Sequence, residues 1–213
     1  MELIKEIGLE REFFLLRKDD DSIVEPIEYE FPADIFGFLV EFRSKPWKHL
    51  NTVKMTWDME KSYWRHRADI FDMKFHDAPY MLVPNSTGQY FCNKYNGANY
   101  PDCTKNIYKK ITGSHHLGIF FDWDSYGNCL LTAGMHVHFS QRDSKCNVIP
   151  FTDAQIMQIV KHMDDVFRPA ITAAHRILGE WEPKKHGFEY RSLPCDIDEY
   201  HVLKEAFYIL RSV

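Results

Sequence analysis

The stretch GLEREFFLL, residues 8–16, places Glu10 and Glu12 two positions apart at the head of an apolar run. Residues i and i+2 of a β-strand point to the same face, so this stretch predicts a strand with both carboxylates on one side. A strand that continues as an unbroken apolar run is typical of the middle of a sheet. Three other segments repeat this spacing of polar residues: GFLVEFRSKP (37–46) with Glu41 and Arg43, AGMHVHFS (133–140) with His136 and His138, and HGFEYRSLP (186–194) with Glu189 and Arg191.

Four such strands side by side would cover one face of a sheet with carboxylates, imidazoles and guanidinium groups. Because a carboxylate removed from water without a partner is costly or takes up a proton, these groups are expected to converge on something positively charged. Glutamate oxygens combined with a histidine nitrogen suit divalent ions such as Mg2+ or Mn2+, and arginine matches the oxygens of phosphate or carboxylate. The sequence therefore predicts a site for a divalent metal and an anionic ligand such as phosphate.

Each pair taken alone also allows a structural interpretation. Glu10 and Glu12 could be exposed residues of an edge strand, and the two histidines of residues 136–138 could be a hydrogen-bonded structural pair. Glu41 and Arg43 could form structural ion pairs with residues of other strands, and Glu189 and Arg191 allow the same interpretation.

The composition limits the classes of partner. The 213-residue chain fits one domain and has a formal net charge of -5 and a pI near 6.1, which gives no general attraction to nucleic acid as a scaffold partner. No segment approaches the roughly 20 apolar residues that span a bilayer, and the acidic start MELIKEIGLEREFF does not have the pattern of a secretory signal. The five cysteines include no CxxC motif, which favours reduced thiols over a structural zinc site. The expectation is a soluble, cytoplasmic protein without a membrane partner.

Hydrophobic periodicity predicts an α+β domain with a mostly antiparallel sheet covered by helices. Apolar runs and alternation predict strands, which cover residues 2–16, about 23–31, 37–44, 115–124, 129–140 and 187–193. The segments 115–124 and 129–140 are expected to form a hairpin around SYGN. Helical spacing and capping signals predict helices over residues 47–67, from the Thr152/Gln155 capping box to about Leu178 with a kink or break at Pro169, and 197–211.

The segment from Pro84 to about residue 112 has a different character. It is rich in Asn, Gly and Tyr and shows no sustained period, which predicts a long loop or loose hairpin inserted into the domain. Loops of this length in a compact domain often act as lids or binding loops, and a decoration without function is the alternative.

Taken in order, GLEREFFLL, GMHVHFS and GFEYRSLP resemble the signature segments of the glutamine synthetase-like carboxylate-amine ligases: the PExEFF, GMHxH and ExR strands. GFLVEFRSKP is similar to the second acidic strand of that family, and the last segment, preceded by Lys184, is especially similar to the small phage-type amidoligases, the second type of COOH-NH2 ligase. The resemblance implies one catalytic domain over residues 1–213 with a curved, mostly antiparallel sheet and helices on one side, like the catalytic domain of glutamine synthetase. It also implies a bacterial or phage-infected cell as the setting.

The resemblance further implies a site that binds ATP with two or three Mg2+ or Mn2+ ions. Glu10, His136 and Glu189 would hold the metal nearest the phosphates, and Glu12 and Glu41 would hold the second. The implied catalytic residues are Arg191, which would neutralise the transferring phosphoryl group, Glu41 and Arg43. His138 and Lys184 would lie at the phosphates together with Arg191.

The implied reaction forms an amide. ATP phosphorylates a carboxylate to an acyl phosphate, and an amine then displaces the phosphate, so no protein nucleophile is needed. The substrates would be a small-molecule or peptide carboxylate and an amine, and glutamate itself is not implied, because LLTA precedes Gly134 in place of the family's Asn-Gly-Ser segment. The alternatives are a phosphotransferase on the same fold and a non-catalytic protein that binds a nucleotide or a partner. The resemblance does not imply an oligomeric state.

Overall fold

The structure is a computed structural model that describes residues 3–33, 38–95, 105–108 and 119–213. The strands in this part of the chain are β1 (Ile4–Arg17), β2 (Leu39–Arg43), β3 (Met73–His76), β4 (Tyr80–Pro84), β5 (Lys105–Asn106), β6 (Ile119–Phe120), β7 (Asn128–Thr132), β8 (Gly134–Arg142), β9 (Glu180–Lys184) and β10 (Gly187–Pro194). The helices are a 3-10 helix at Pro26–Tyr29, α1 (Leu50–Ile70), α2 (Asn85–Tyr95), α3 (Asp153–Ala173) and α4 (Glu199–Ser212).

The strands form two sheets with antiparallel pairing throughout the described residues. The larger sheet has the order β2-β1-β8-β10-β9-β5, with β3 pairing the far end of β1, and the smaller sheet has the order β4-β7-β6. The chain is therefore α+β with a mostly antiparallel sheet, which confirms the predicted class. The expected central place of the first strand is also confirmed, since β1 has partners on both edges.

Alternation along β1 sends its side chains to two different environments. Leu9, Phe13 and Leu15 join the main hydrophobic core, which includes Trp57 of α1 and Met163 of α3. Helix α4 also contributes to this core, so three helices cover the apolar face of the large sheet. The 14-residue length of β1 lets one strand support both this core and the opposite, polar face.

The polar face of β1 ends where its residues become apolar. Phe14 and Leu16 follow Glu10 and Glu12 on that face, and they belong to a second cluster with Leu131 of the small sheet and Phe91 of α2. The small sheet and α2 thus lie over one end of the large sheet. The polar region is confined to the remaining part of this face.

Several predicted elements differ from the structure. The strand predicted at about 23–31 is replaced by the 3-10 helix, because Pro26 lacks the N–H that a strand ladder needs and suits the first position of a helical turn. The predicted loop from residue 84 begins instead with α2, while residues 96–104 and 109–118 lie outside the described residues. Residues 115–118, the start of the predicted hairpin, are among those outside the described residues. The second predicted strand of the hairpin, 129–140, divides at Ala133 into β7 and β8, which belong to different sheets.

The longer helices follow their predicted signals. Thr152 and Gln155 form the predicted capping box at the start of α3. Pro169 lies inside this helix without splitting it. The helix ends at Ala173, which is one turn after Pro169 and before the predicted end at about Leu178. Helices α1 and α4 occupy the predicted segments with boundaries shifted by one to three residues.

Candidate functional site

The four polar pairs lie on four adjacent strands of the large sheet. Between β1 and β2, Glu10 lies opposite Arg43 and Glu12 lies opposite Glu41. Between β1 and β8, Glu10 lies opposite His136 and Gly8 lies opposite His138. Between β10 and β8, Glu189 lies opposite His138. Because the members of each pair are two residues apart and face each other across these strands, the side chains lie on one face of the sheet, where Arg191 contacts Glu189. The sequence prediction that these strands adjoin is therefore confirmed.

His136 lies at the centre of this face among three carboxylates. Its Nδ1 atom is 2.9 Å from Glu10 Oε1 and 3.0 Å from Glu189 Oε1, and its Nε2 atom is 3.8 Å from Glu12 Oε1. His136 and Glu189 are each 1% exposed and Glu10 is 5% exposed. Buried charges at these distances interact strongly because water screens them little.

The charges in this cluster shift the pKa values of its members. Burial and Arg191 oppose protonation of His136, but the carboxylates of Glu12, Glu189 and Glu10 outweigh them and raise its pKa to about 9. Burial likewise opposes ionisation of Glu10, and its hydrogen bonds to His136 and His138 still bring its pKa well below the ordinary value. The charged forms of Glu10 and His136 therefore stabilise each other.

Glu10, His138 and Glu189 form a compact set of possible metal ligands. Each offers one atom such that the three atoms lie within 4.8 Å of one another, and His138 Nε2 is 3.1 Å from Glu10 Oε2. Two carboxylates with one imidazole suit Mg2+ or Mn2+, so the donor set fits the metal that the sequence predicts.

The placement of the two histidines refines the expectation from the sequence. His136 was expected at the metal and His138 at the phosphates. In the structure both contact Glu10, and His138 belongs to the three-ligand set, while His136 is held between Glu10 and Glu189. Both histidines therefore lie next to the predicted metal position.

Lys184 and Arg191, the residues predicted to bind phosphate, flank Glu189. Arg191 Nη1 is 2.5 Å from Glu189 Oε1 and 3.1 Å from Glu182 Oε2. Lys184 Nζ is 2.7 Å from Glu189 Oε2 and 2.9 Å from Glu182 Oε1. Burial would lower the pKa of Lys184, but Glu189 and Glu182 raise it. Two cations are thus held side by side between two carboxylates.

Glu41, Arg43 and Glu12 complete the opposite side of the site. Arg43 Nε is 3.0 Å from Glu10 Oε2, and its guanidinium also contacts Glu41. The Arg43 side chain is 65% exposed, which places it at the rim, whereas Glu41 and Glu12 are buried. Glu12 Oε2 accepts a hydrogen bond of 2.6 Å from the backbone N–H of Gly134, so Glu12 also holds the start of β8 in place.

Two further site residues were missed from the sequence. Glu182 contacts both cations, and His186 Nε2 is 3.3 Å from His138 Nδ1. The i, i+2 spacing of Glu180, Glu182 and Lys184 in EWEPK is the same signal that identified the other strands. His186 carries no such signal, because it lies in the turn before Gly187.

The sequence matches no family model and no curated protein. Among the described helices, none combines the length and the apolar composition needed to cross a bilayer.

Proposed function

We propose that this protein is an ATP- and Mg2+-dependent carboxylate-amine ligase of the glutamine synthetase-like superfamily, an amidoligase that joins an unidentified carboxylate to an amine. The observation that carries the proposal is the convergence of all four polar pairs on one face of four adjacent strands. These pairs lie in the segments that resemble the ligase signatures. Their convergence gives the resemblance a physical meaning, because residues that share a ligand must be neighbours.

The charge arrangement supports metal-assisted phosphate chemistry. Glu10, Glu189 and the adjoining histidines would hold one divalent ion, while Glu12 and Glu41, which lie opposite each other on β1 and β2, would contribute to a second. Bound metal would supply a positive charge that stabilises the negative oxygens of a transferring phosphoryl group.

The cations around the acidic centre support the binding of a nucleotide. Arg191 and Lys184 lie beside Glu189, and Arg43 lies at the exposed rim beside Glu10. Guanidinium and ammonium groups in these positions would orient an anionic ligand and reduce repulsion between its oxygens and the carboxylates. Arg191 is the candidate for contact with the reacting phosphate, because it is the less exposed of the two arginines.

Metal-dependent nucleotide binding is the first test. Addition of ATP and Mg2+ is expected to raise the Tm of the wild-type protein, because a ligand that binds only the folded state stabilises it. Glu189→Gln should abolish this shift, since it removes a ligand charge from the centre, whereas Glu28→Gln, on the exposed 3-10 helix, should retain it. A wild-type protein without any shift would contradict the proposal.

Product analysis separates the ligase from its alternatives. Release of ADP measured against a panel of carboxylates and amines should require one of each for a ligase and yield an amide. A phosphotransferase would release ADP with one acceptor alone. A non-catalytic binding protein would show the thermal shift without ADP release.

A further inference from the structure

Arg191 lies at an irregularity in the ladder between β8 and β10. Tyr190 pairs with Val137 and Leu193 pairs with Met135, so Arg191 and Ser192 together lie opposite the single residue His136. Two residues opposite one define a β-bulge, which interrupts the ladder and redirects the side chains of the bulged strand. The backbone carbonyls of such a bulge need donors from elsewhere.

Arg176 supplies those donors. Its Nη2 donates a hydrogen bond of 2.7 Å to the carbonyl oxygen of Arg191, and its Nε donates one of 3.3 Å to the carbonyl oxygen of Ser192. A guanidinium group is planar and presents several donors in a fixed fork, so it can hold two successive carbonyls at once. Arg176 comes from the connection between α3 and β9, which the sequence did not mark as part of the site.

Gly134 provides the space for this guanidinium group. A Cβ atom on Gly134 would lie 2.5 Å from Arg176 Nη2 and 2.7 Å from Arg176 Cζ, closer than non-bonded atoms approach. The glycine two residues before His136 therefore allows Arg176 to reach the bulge. Any larger residue there would have to displace the guanidinium group.

We propose that Arg176 is a positioning residue that fixes the β10 bulge and so aims the Arg191 guanidinium at the phosphates of a nucleoside triphosphate. Arg176 holds the backbone of Arg191, and Glu182 and Glu189 hold its side chain. Arg191 is thereby held both at its backbone and at its guanidinium group. This role rests on the proposed function, because the ligand that Arg191 would contact is ATP.

The test compares the affinities of the purified full chain for two probes, MgATP and Mn2+ alone. Arg176→Ala is expected to raise the Kd for MgATP by about ten- to a hundredfold, the size of effect that a misplaced binding group produces. The Kd for Mn2+ alone should stay within about twofold, since the hydrogen bonds of Arg176 go to the backbone of Arg191 and Ser192 and not to the candidate metal ligands. Arg176→Lys should recover part of the loss. Arg168→Ala, on the exposed surface of α3, is the matched control and should bind as the wild type does.

Gly134→Ala tests the same contact from the other side. Its new methyl group should displace the guanidinium and weaken MgATP binding to a similar extent, and the double variant Gly134→Ala/Arg176→Ala should be little worse than either single one. This comparison remains decisive where Arg176→Ala lowers the yield of folded protein.

Three outcomes would overturn the inference. MgATP binding by Arg176→Ala or by Gly134→Ala that equals the wild type would show that the contact does not position Arg191. Fully additive losses in the double variant would show that the two residues do not act together. A wild-type protein that binds no MgATP would overturn the proposed function, and the role of Arg176 with it.

Discussion

Glu199 accepts hydrogen bonds from two other elements behind the polar face. Its Oε1 atom lies 3.1 Å from Trp57 Nε1, 2.5 Å from Lys61 Nζ and 3.4 Å from Arg11 Nη1. Arg11 lies between Glu10 and Glu12 in the chain, so alternation sends it to the opposite side of β1, where it is buried. Glu199 therefore neutralises a cation that the two site glutamates cannot reach.

This network predicts a stability that depends on pH. Burial opposes ionisation of Glu199, but Lys61 and Trp57 lower its pKa from about 4.5 to about 2. A carboxylate with a lowered folded-state pKa contributes stability above pH 4.5 and loses it as pH falls toward 2. Glu199→Gln should therefore lower the free energy of unfolding by about 1–3 kcal/mol at pH 7 and by much less at pH 2.5. Urea denaturation at both pH values measures this, and a deficit of equal size at pH 2.5 would contradict it.

At the level of single residues, the eight side chains of the site were predictable because alternation alone identifies them. Glu182 was within reach of the same rule, but its strand, EWEPK, carries a proline and two acids and does not have a strong strand pattern. Arg176 was not predictable, because its role depends on carbonyls exposed by a bulge. Bulges arise from register, which a single sequence does not specify.

The turn between β9 and β10 is the element that fixes Glu189 relative to His138. Gly187 begins β10 with φ +151° and lies opposite Ser140 of β8. A Cβ atom there would lie 2.0 Å from the carbonyl oxygen of Phe139. The close approach of β10 to β8, and with it the contact between Glu189 and His136, thus requires glycine.

Gly187→Ala is expected to destabilise the protein more than Gly127→Ala. Both positions have positive φ, but a Cβ at Gly127 would have no atom within 4 Å. Gly127→Ala therefore measures only backbone strain, of about 1 kcal/mol, whereas Gly187→Ala adds a clash with the backbone of β8. Urea denaturation of the two variants at pH 7 makes the comparison, and equal losses would contradict the structure at this turn.

The elements with strong local signals agree with the sequence, and the weaker ones do not. α3 begins at its capping box, and the long strand β1 follows its apolar run. The strands β3 and β4 are only four and five residues long, too short for periodicity to separate them from loops. The division at Ala133 between β7 and β8 depends on the packing of two sheets, which no local pattern records.

Across the whole molecule, the site is assembled from distant parts of the chain. β1 pairs with β2 and β8, β8 pairs with β10, and the three helices behind the sheet leave the polar face uncovered by that layer. The small sheet and α2 close one end of this face through the second hydrophobic cluster. The bounded surface that results carries acids at its centre and cations around them, the arrangement on which the proposed metal-nucleotide site depends.

The location of a bound metal tests this account most directly. Crystals of the wild-type protein grown with Mn2+ and a non-hydrolysable ATP analogue should show anomalous density for manganese in contact with Glu10 and Glu189, with the phosphates beside Arg191 and Lys184. Manganese located elsewhere, or a nucleotide bound away from this face, would contradict the assignment of the polar face as the active site.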